Sequence, residues 1–353
     1  MPETKLTLAV PGGFDRLTGG TIYDGRVADE LEGRGWAIHR LALPDGYPLP
    51  DAAALATTRQ LLTALPEGCR LVVDGLALGV LPELAAELAP RLELIALVHH
   101  PLALETGLDA ATAERLRASE RRALAHAARV ICTSRTTRLA LARDYAVPEA
   151  RITVAPPGTD RRPAARGSGG PGLHILNVGS VIPRKDQRTL VAALAELGDR
   201  RIRTSIAGSL ERDPATALAL RALIDKTGQR DRTALLGELE AGLLDEALDT
   251  TDLFVSTALH EGYGMALSEA LAAGIPALVA RGGAVVEAVP ESAALFFEPG
   301  DVEGLGRLIG ALADDAIALD RLREGARRAS ERLPTWADTA RLVAEALLRE
   351  PAP

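Results

Sequence analysis

At 353 residues the chain exceeds the roughly 250 to 300 residues at which a single hydrophobic core stops growing, so two domains are expected. Hydrophobic residues at 47% and charged residues at 25% exclude a disordered or fibrous chain. The formal net charge of −8 excludes a protein that finds nucleic acid through a basic surface, because phosphate neutralisation needs clustered cations.

Taken in chain order, short apolar runs at Leu6 to Val10, Leu71 to Asp74, Leu94 to His99 and Val130 to Thr133 read as buried strands. Helices are expected between them, over Tyr23 to Arg34 behind a glycine pair and over Ala110 to Ala128. The segment Thr159 to Gly172, rich in Pro, Gly, Ser and Arg, cannot bury enough surface to fold alone and reads as an inter-domain linker. A second series of strands follows at His174 to Gly179, Arg203 to Ala207, Thr233 to Leu236, Leu253 to Ser256, Ala277 to Ala280 and Ala294 to Phe297. Strands separated by helices signal α/β architecture, with parallel sheets covered on both faces. The boundaries expected are 1–160 for the first domain, 161–172 for the linker and 173–334 for the second domain. A final helix over 335–353 carries an apolar stripe of Trp336, Ala340, Val343, Ala344 and Leu347 that something must cover.

The two cysteines, Cys69 and Cys132, are far apart and in no metal-ligand or redox spacing, which suits a reducing compartment. No secretory leader pattern and no apolar run of membrane-spanning length is visible, so a cytoplasmic enzyme is expected. An arginine-rich stretch, Arg115 to Arg122, offers peripheral contact to an anionic membrane surface, but Glu114 and Glu120 interleave with it as on a solvated helix face.

The most informative stretch is HEGYGMALSEALAAGIPALVA, His260 to Ala280. It leaves a strand, passes Gly262, Tyr263 and Gly264, and enters a helix from about Met265 to Ala273 that Gly274 closes. Amides of Gly264, Met265 and Ala266 at such a helix start lack intrahelical partners and can receive a phosphate. Glu261 and Glu269 flank that start, and carboxylates accepting from vicinal hydroxyls hold a ribose or hexose. A strand-glycine-helix turn with two solvated glutamates is the alternative on spacing alone.

A second element is NVGSVIPRKDQRTLVAAL, Asn177 to Leu194, with Arg184 and Lys185 ahead of a helix. Lysine occurs only at Lys5, Lys185 and Lys226 among 40 basic residues, so a lysine at a strand-to-helix turn invites a role toward a diphosphate oxygen. In the first half, Gly19 and Gly20 precede a helix and form another candidate anion site. His99 and His100 end a strand where α/β sheets bind ligands, and Pro101 blocks an early helix start. No Asp-x-Asp pair follows a strand, and the six histidines show no metal-ligand spacing.

Glu261, Gly262, Tyr263, Gly264, Glu269, Ala270, Ala272, Gly274 and Pro276 together resemble the signature of the family-4 retaining glycosyltransferases. The resemblance implies a GT-B fold, two Rossmann-like doubly wound domains facing a central cleft, with the last helix crossing back onto the first domain. It implies a nucleotide-diphosphate-sugar donor, UDP- or GDP-linked, and an acceptor the sequence does not identify, with no cofactor and no metal. By resemblance Glu269 holds the donor ribose, Gly264 to Ala266 the diphosphate, and Glu261 the transferred sugar. Lys185 takes the family's phosphate lysine position, with Arg184 beside it and Ser180 where many members carry arginine. Gly19 and Gly20 match the family's first-loop glycines, and His99, with His100 as the alternative, its strand-end histidine. Rival readings are a nucleotide-sugar epimerase on the same fold, a non-catalytic sugar-nucleotide binding protein, and a nicotinamide-dependent dehydrogenase. The last lacks a Gly-x-Gly-x-x-Gly fingerprint after the first strand.

Overall fold

The computed structural model describes residues 4–105, 107–198 and 200–349. The chain divides into two compact units, Met1–Gly158 with Pro334–Pro353, and Thr159–Leu333. Each is built on a parallel six-stranded sheet. Among the described residues no helix is long and apolar enough to cross a membrane.

The first sheet contains β1 (Lys5–Pro11), β2 (Ala37–Leu43), β3 (Arg70–Asp74), β4 (Glu93–Val98), β5 (Arg129–Cys132) and β6 (Ile152–Val154), in the spatial order β2-β1-β3-β4-β5-β6. Period-two alternation buries both faces. Leu71, Val73, Leu94, Ala96 and Val130 enter one core with Leu78, Leu88 and Leu141. The intervening Leu6, Leu8, Val72 and Ile131 meet Tyr23, Val27 and Leu31 of the helix Gly19–Gly33, and Val343 of the helix Trp336–Leu348. The edge strands β2 and β6 are absent from the sequence reading: β2 is exposed or half-buried over all but its last residue, with His39 and Arg40 at its middle, and β6 has only three residues.

The final helix opens with a capping box between Thr335 and Asp338, satisfying two orphan amides. Its stripe buries Trp336, Ala340, Val343 and Leu347, while Ala344 is only half-buried and Ala346 is the buried neighbour. Trp336 lies edge-on to Tyr23 with centroids 5.9 Å apart, so this helix belongs to the first unit although it ends the chain.

The second sheet contains β7 (Leu173–Val178), β8 (Ile202–Ala207), β9 (Thr233–Gly237), β10 (Leu253–Ser256), β11 (Ala277–Ala280) and β12 (Ala294–Phe297), ordered β12-β11-β10-β7-β8-β9. Leu176, Phe254, Ala277 and Val279 face one core, and Ile175, Leu253, Val255, Leu278 and Ala280 the other. The segment Thr159 to Gly172, expected as an inter-domain linker, has no helix or strand and is fastened to this unit. Ala165 N–H donates to the Ala273 carbonyl (2.8 Å), Gly167 N–H to the Asp249 carbonyl (3.0 Å) and Ser168 N–H to the Asp252 carboxylate (3.1 Å). A segment with no core of its own is thus held by backbone hydrogen bonds to its neighbours.

Candidate functional site

In the second unit, β10 ends at Ser256 and the chain loops into the helix Met265–Ala272. Gly264 occupies its N-cap position with φ +99°, a left-handed conformation that glycine adopts without a Cβ penalty. No side chain caps this start, which leaves the first-turn amides and the positive end of the helix dipole directed along the loop. Gly274 ends the helix in a Schellman arrangement, Gly274 N–H donating to Leu271 O and Ile275 N–H to Ala270 O.

Glu261 lies in that loop, and its backbone is locked to the turn after β11: Glu261 N–H donates to Gly282 O (3.0 Å) and Ala284 N–H to Glu261 O (2.8 Å). Gly283, at φ +75°, could not carry a Cβ without striking the Glu261 carbonyl oxygen. The Glu261 carboxylate accepts from Lys185 Nζ and, at 3.4 Å, from Arg184. Arg184 also donates to His260 O (2.8 Å). Two further bonds pin the short 3-10 turn Pro183–Lys185 to the β10 loop, from Leu259 N–H to Arg184 O and from Thr257 Oγ1 to Lys185 O, each 2.8 Å. The lysine element and the glutamate-glycine element, separated by more than seventy residues, therefore form one cluster. Glu261 is 13% exposed on its side chain and Lys185 19%, so their charges attract with less screening than a surface pair. Glu269 sits half-buried on the second turn of the same helix, Met265 and Ala266 are half-buried in its first turn, and Tyr263 is 9% exposed. Gly262 lies in the loop between them and is also half-buried.

In the first unit, Gly19 and Gly20 open the helix Gly19–Gly33 behind a Thr18–Thr21 capping box. His99 follows β4 directly, one residue beyond the strand that was expected to contain it. A Cβ on Gly20 would stand 3.2 Å from the His99 ring, so the second glycine is where the helix makes room for the imidazole. His99 Nε2 pairs with Asp24 Oδ1 at 3.1 Å, and the Tyr23 ring lies edge-on at 5.2 Å. Burial alone would push His99 down, but the charge and hydrogen bond of Asp24, with Asp74 beyond it, carry it up to about 9. Burial and the Asp24 charge raise Asp74 to about 7. His100 turns elsewhere and pairs with Glu105 at 3.2 Å. The buried Glu120 accepts from Leu102 N–H (2.9 Å), fixing the turn after the histidines, and burial raises it to about 8.

Asp24, Asp74 and His99 each place one ligand-capable atom within 4.8 Å of the others, a cluster the sequence reading missed. The signal was present: Asp24 interrupts the buried stripe of Tyr23, Val27, Ala28 and Leu31, and Asp74 follows the apolar run Leu71, Val72 and Val73 at the end of its strand. Gly282 and Gly283 were also missed, because a glycine pair after a strand reads as an ordinary turn until its carbonyl contacts are known.

Residues 24–162 match the sequence pattern of Glycosyltransferase Family 4, and residues 161–329 match that of Glycosyl transferases group 1. The chain is 26% identical over 315 residues to an MMP alpha-(1->4)-mannosyltransferase from Mycolicibacterium hassiacum, a match covering 84% of this chain and 74% of that protein. In structure it resembles a sucrose-phosphate synthase from Thermosynechococcus elongatus, with a TM-score of 0.80, 19% identity, and coverage of 96% and 97% of the two chains. It also resembles an Anabaena structure in complex with UDP and glucose, with a TM-score of 0.76, 17% identity, and coverage of 98% and 99%.

Proposed function

We propose that this chain, a member of the GT-B glycosyltransferases of group 1 and family 4, transfers a sugar from a nucleotide-diphosphate donor with retention and without a metal. The observation that carries the reading is the convergence of Lys185 and Arg184 on Glu261, immediately ahead of the uncapped helix start at Gly264. A nucleoside diphosphate is already a good leaving group, so catalysis consists mainly of neutralising the charge that develops on it. Lys185 and Arg184 supply cations, and Gly264, Met265 and Ala266 supply amides at the positive end of the dipole. In the free enzyme Glu261 partners both cations, and a donor diphosphate would take a share of them, leaving Glu261 to hold sugar hydroxyls. Glu269 is assigned to the ribose. UDP is favoured as the donor's nucleotide by the UDP complex of the Anabaena neighbour, with GDP as the other candidate.

In this reading the acceptor hydroxyl attacks from the face the diphosphate leaves, its proton passes to a donor phosphate oxygen, and His99, with Gly19 and Gly20, positions the groups. Neither Cys69 nor Cys132 forms a disulfide, which suits a reducing, cytoplasmic setting.

Thermal-shift measurement against UDP, GDP, ADP and their sugars tests the donor assignment, since ligand at 100 times its Kd adds about 2.7 kcal/mol of stability. UDP or a UDP-sugar is expected to give the largest shift, and no shift with any of them refutes the donor site. NMR of the product anomer from an axially linked donor tests retention, and an equatorial product refutes it.

A further inference from the structure

We propose that Asp24 and Asp74 are positioning residues for His99, sharing one proton so that the imidazole is held charged with Nε2–H on Asp24 and Nδ1–H free to donate. This deepens the reading of His99 given above and rests on it for its catalytic meaning.

The geometry carries the assignment. Asp24 is fully buried, and only its Oδ1 meets the histidine; Oδ2 is buried with no hydrogen-bond partner. An anionic oxygen left so is costly, and a buried native group is normally satisfied. The Asp74 carboxyl, inside the 4.8 Å cluster and 5% exposed, can supply a proton to it, while its Oδ1 accepts from Leu76 N–H (2.8 Å). Charge counting permits a neutral ion pair, and the 3.1 Å contact of Asp24 Oδ1 with the ring assigns the negative charge to Asp24. With Asp24 ionised, Asp74 protonated and His99 protonated, the cluster is neutral; ionising both carboxylates, or discharging the ring, leaves net negative charge in a desolvated place. The pair of carboxylates then titrates as a unit.

The other groups facing the ring agree. Tyr23, on the helix that carries Asp24, is held neutral by burial and donates to Ala155 O (2.9 Å). Thr133, just after β5, donates its hydroxyl to His99 O (2.9 Å) and fixes the histidine's backbone. The positive end of the helix Gly19–Gly33 opposes an imidazolium, so Asp24 must outweigh it. Among the described residues nothing bonds Nδ1, and the side chain is 18% exposed. His99 therefore acts as a hydrogen-bond donor and local cation, not as a base that deprotonates the acceptor. The elevated Asp74 value is consistent with its keeping the proton, and Asp24 contributes more than Asp74 to the rise of His99.

The test is an NMR titration of the His99 ring, assigned with His99→Asn, in the wild type, Asp24→Asn and Asp74→Asn. The wild-type ring should stay charged past pH 8, and Asp24→Asn should lower its midpoint by at least one pH unit. Asp74→Asn offers Asp24 an amide N–H where the protonated carboxyl stood, so it should leave the midpoint within about half a unit. Where turnover is measured, its alkaline limb should shift with the ring in Asp24→Asn. A wild-type ring that is neutral at pH 7, a midpoint indifferent to Asp24→Asn, or a midpoint lowered as far by Asp74→Asn as by Asp24→Asn overturns the proposal. So does one equivalent of tightly bound metal, found by elemental analysis and lost with either aspartate. The ring titration needs no substrate, so a chain that transfers no sugar would sink the functional reading and leave this one standing.

Discussion

Both units present their chemistry beyond the carboxyl ends of parallel strands, yet they hold charge in opposite ways. In the second unit Lys185 and Arg184 meet Glu261 across two loops, their side chains 13 to 19% exposed and their backbones tied by carbonyl bonds. In the first unit Asp24 and Asp74 sit deeper, and the charge states of these two carboxyls and His99 are set by burial and by one another. Partly buried loop ions at the edge of solvent can change partners when a ligand arrives, whereas a fully buried carboxylate resists change because any new charge is desolvated. One unit is thus suited to exchanging ligands and the other to holding a side chain in a fixed state.

The comparison can be broken at several points. The largest effect is expected from Trp336→Ala, which removes a ring 5% exposed, edge-on to Tyr23 and under Arg26. A buried tryptophan truncation costs about 3–5 kcal/mol. Calorimetry should show the first unit melting earlier, while UDP affinity, if it belongs to the second unit, stays within about threefold. Lys185→Ala should do the reverse, lowering kcat/KM by about 10²–10³, the scale of one lost electrostatic contact to a developing charge, with little change in melting. An unchanged rate would remove Lys185 from the diphosphate.

Gly283→Ala should cost about 1–3 kcal/mol and weaken nucleotide binding, because φ +75° is strained for alanine and its Cβ would press on the Glu261 carbonyl. Gly25→Ala, where a Cβ meets nothing within 4 Å, is the matched control and should be nearly neutral. The smallest effect is a pH signature. Burial raises Glu120 to about 8, so its contribution to stability is full below its unfolded value of about 4.5 and is lost as pH rises toward 8. Glu120→Gln, neutral throughout, should melt with the wild type near pH 4.5 and a few degrees above it at pH 8.5, by about 2–4 °C per kcal/mol. A constant offset across that range would mean Glu120 is not charged on unfolding.

What could be read without coordinates was whatever repeats with a period or fixes a backbone angle. Apolar runs at Leu71 and Leu253 had to be strands buried on both faces, and Gly264 and Gly274 bracketed a helix to within a residue, because these are local demands of the chain. Lys185 and Glu261 could each be singled out, but their contact could not be read from either segment. It required β7 and β10 to be neighbours in the sheet, which is a matter of strand order. The fate of Thr159 to Gly172 was likewise decided by carbonyls and carboxylates supplied from Asp249, Asp252 and Ala273. Asp24 and Asp74 lie fifty positions apart on a helix and a strand, and only packing brings them to one histidine. Sequence settles local conformation because it depends on a few neighbouring residues. A shared proton or an ion pair depends on distance and burial, and those exist only once the sheets have formed.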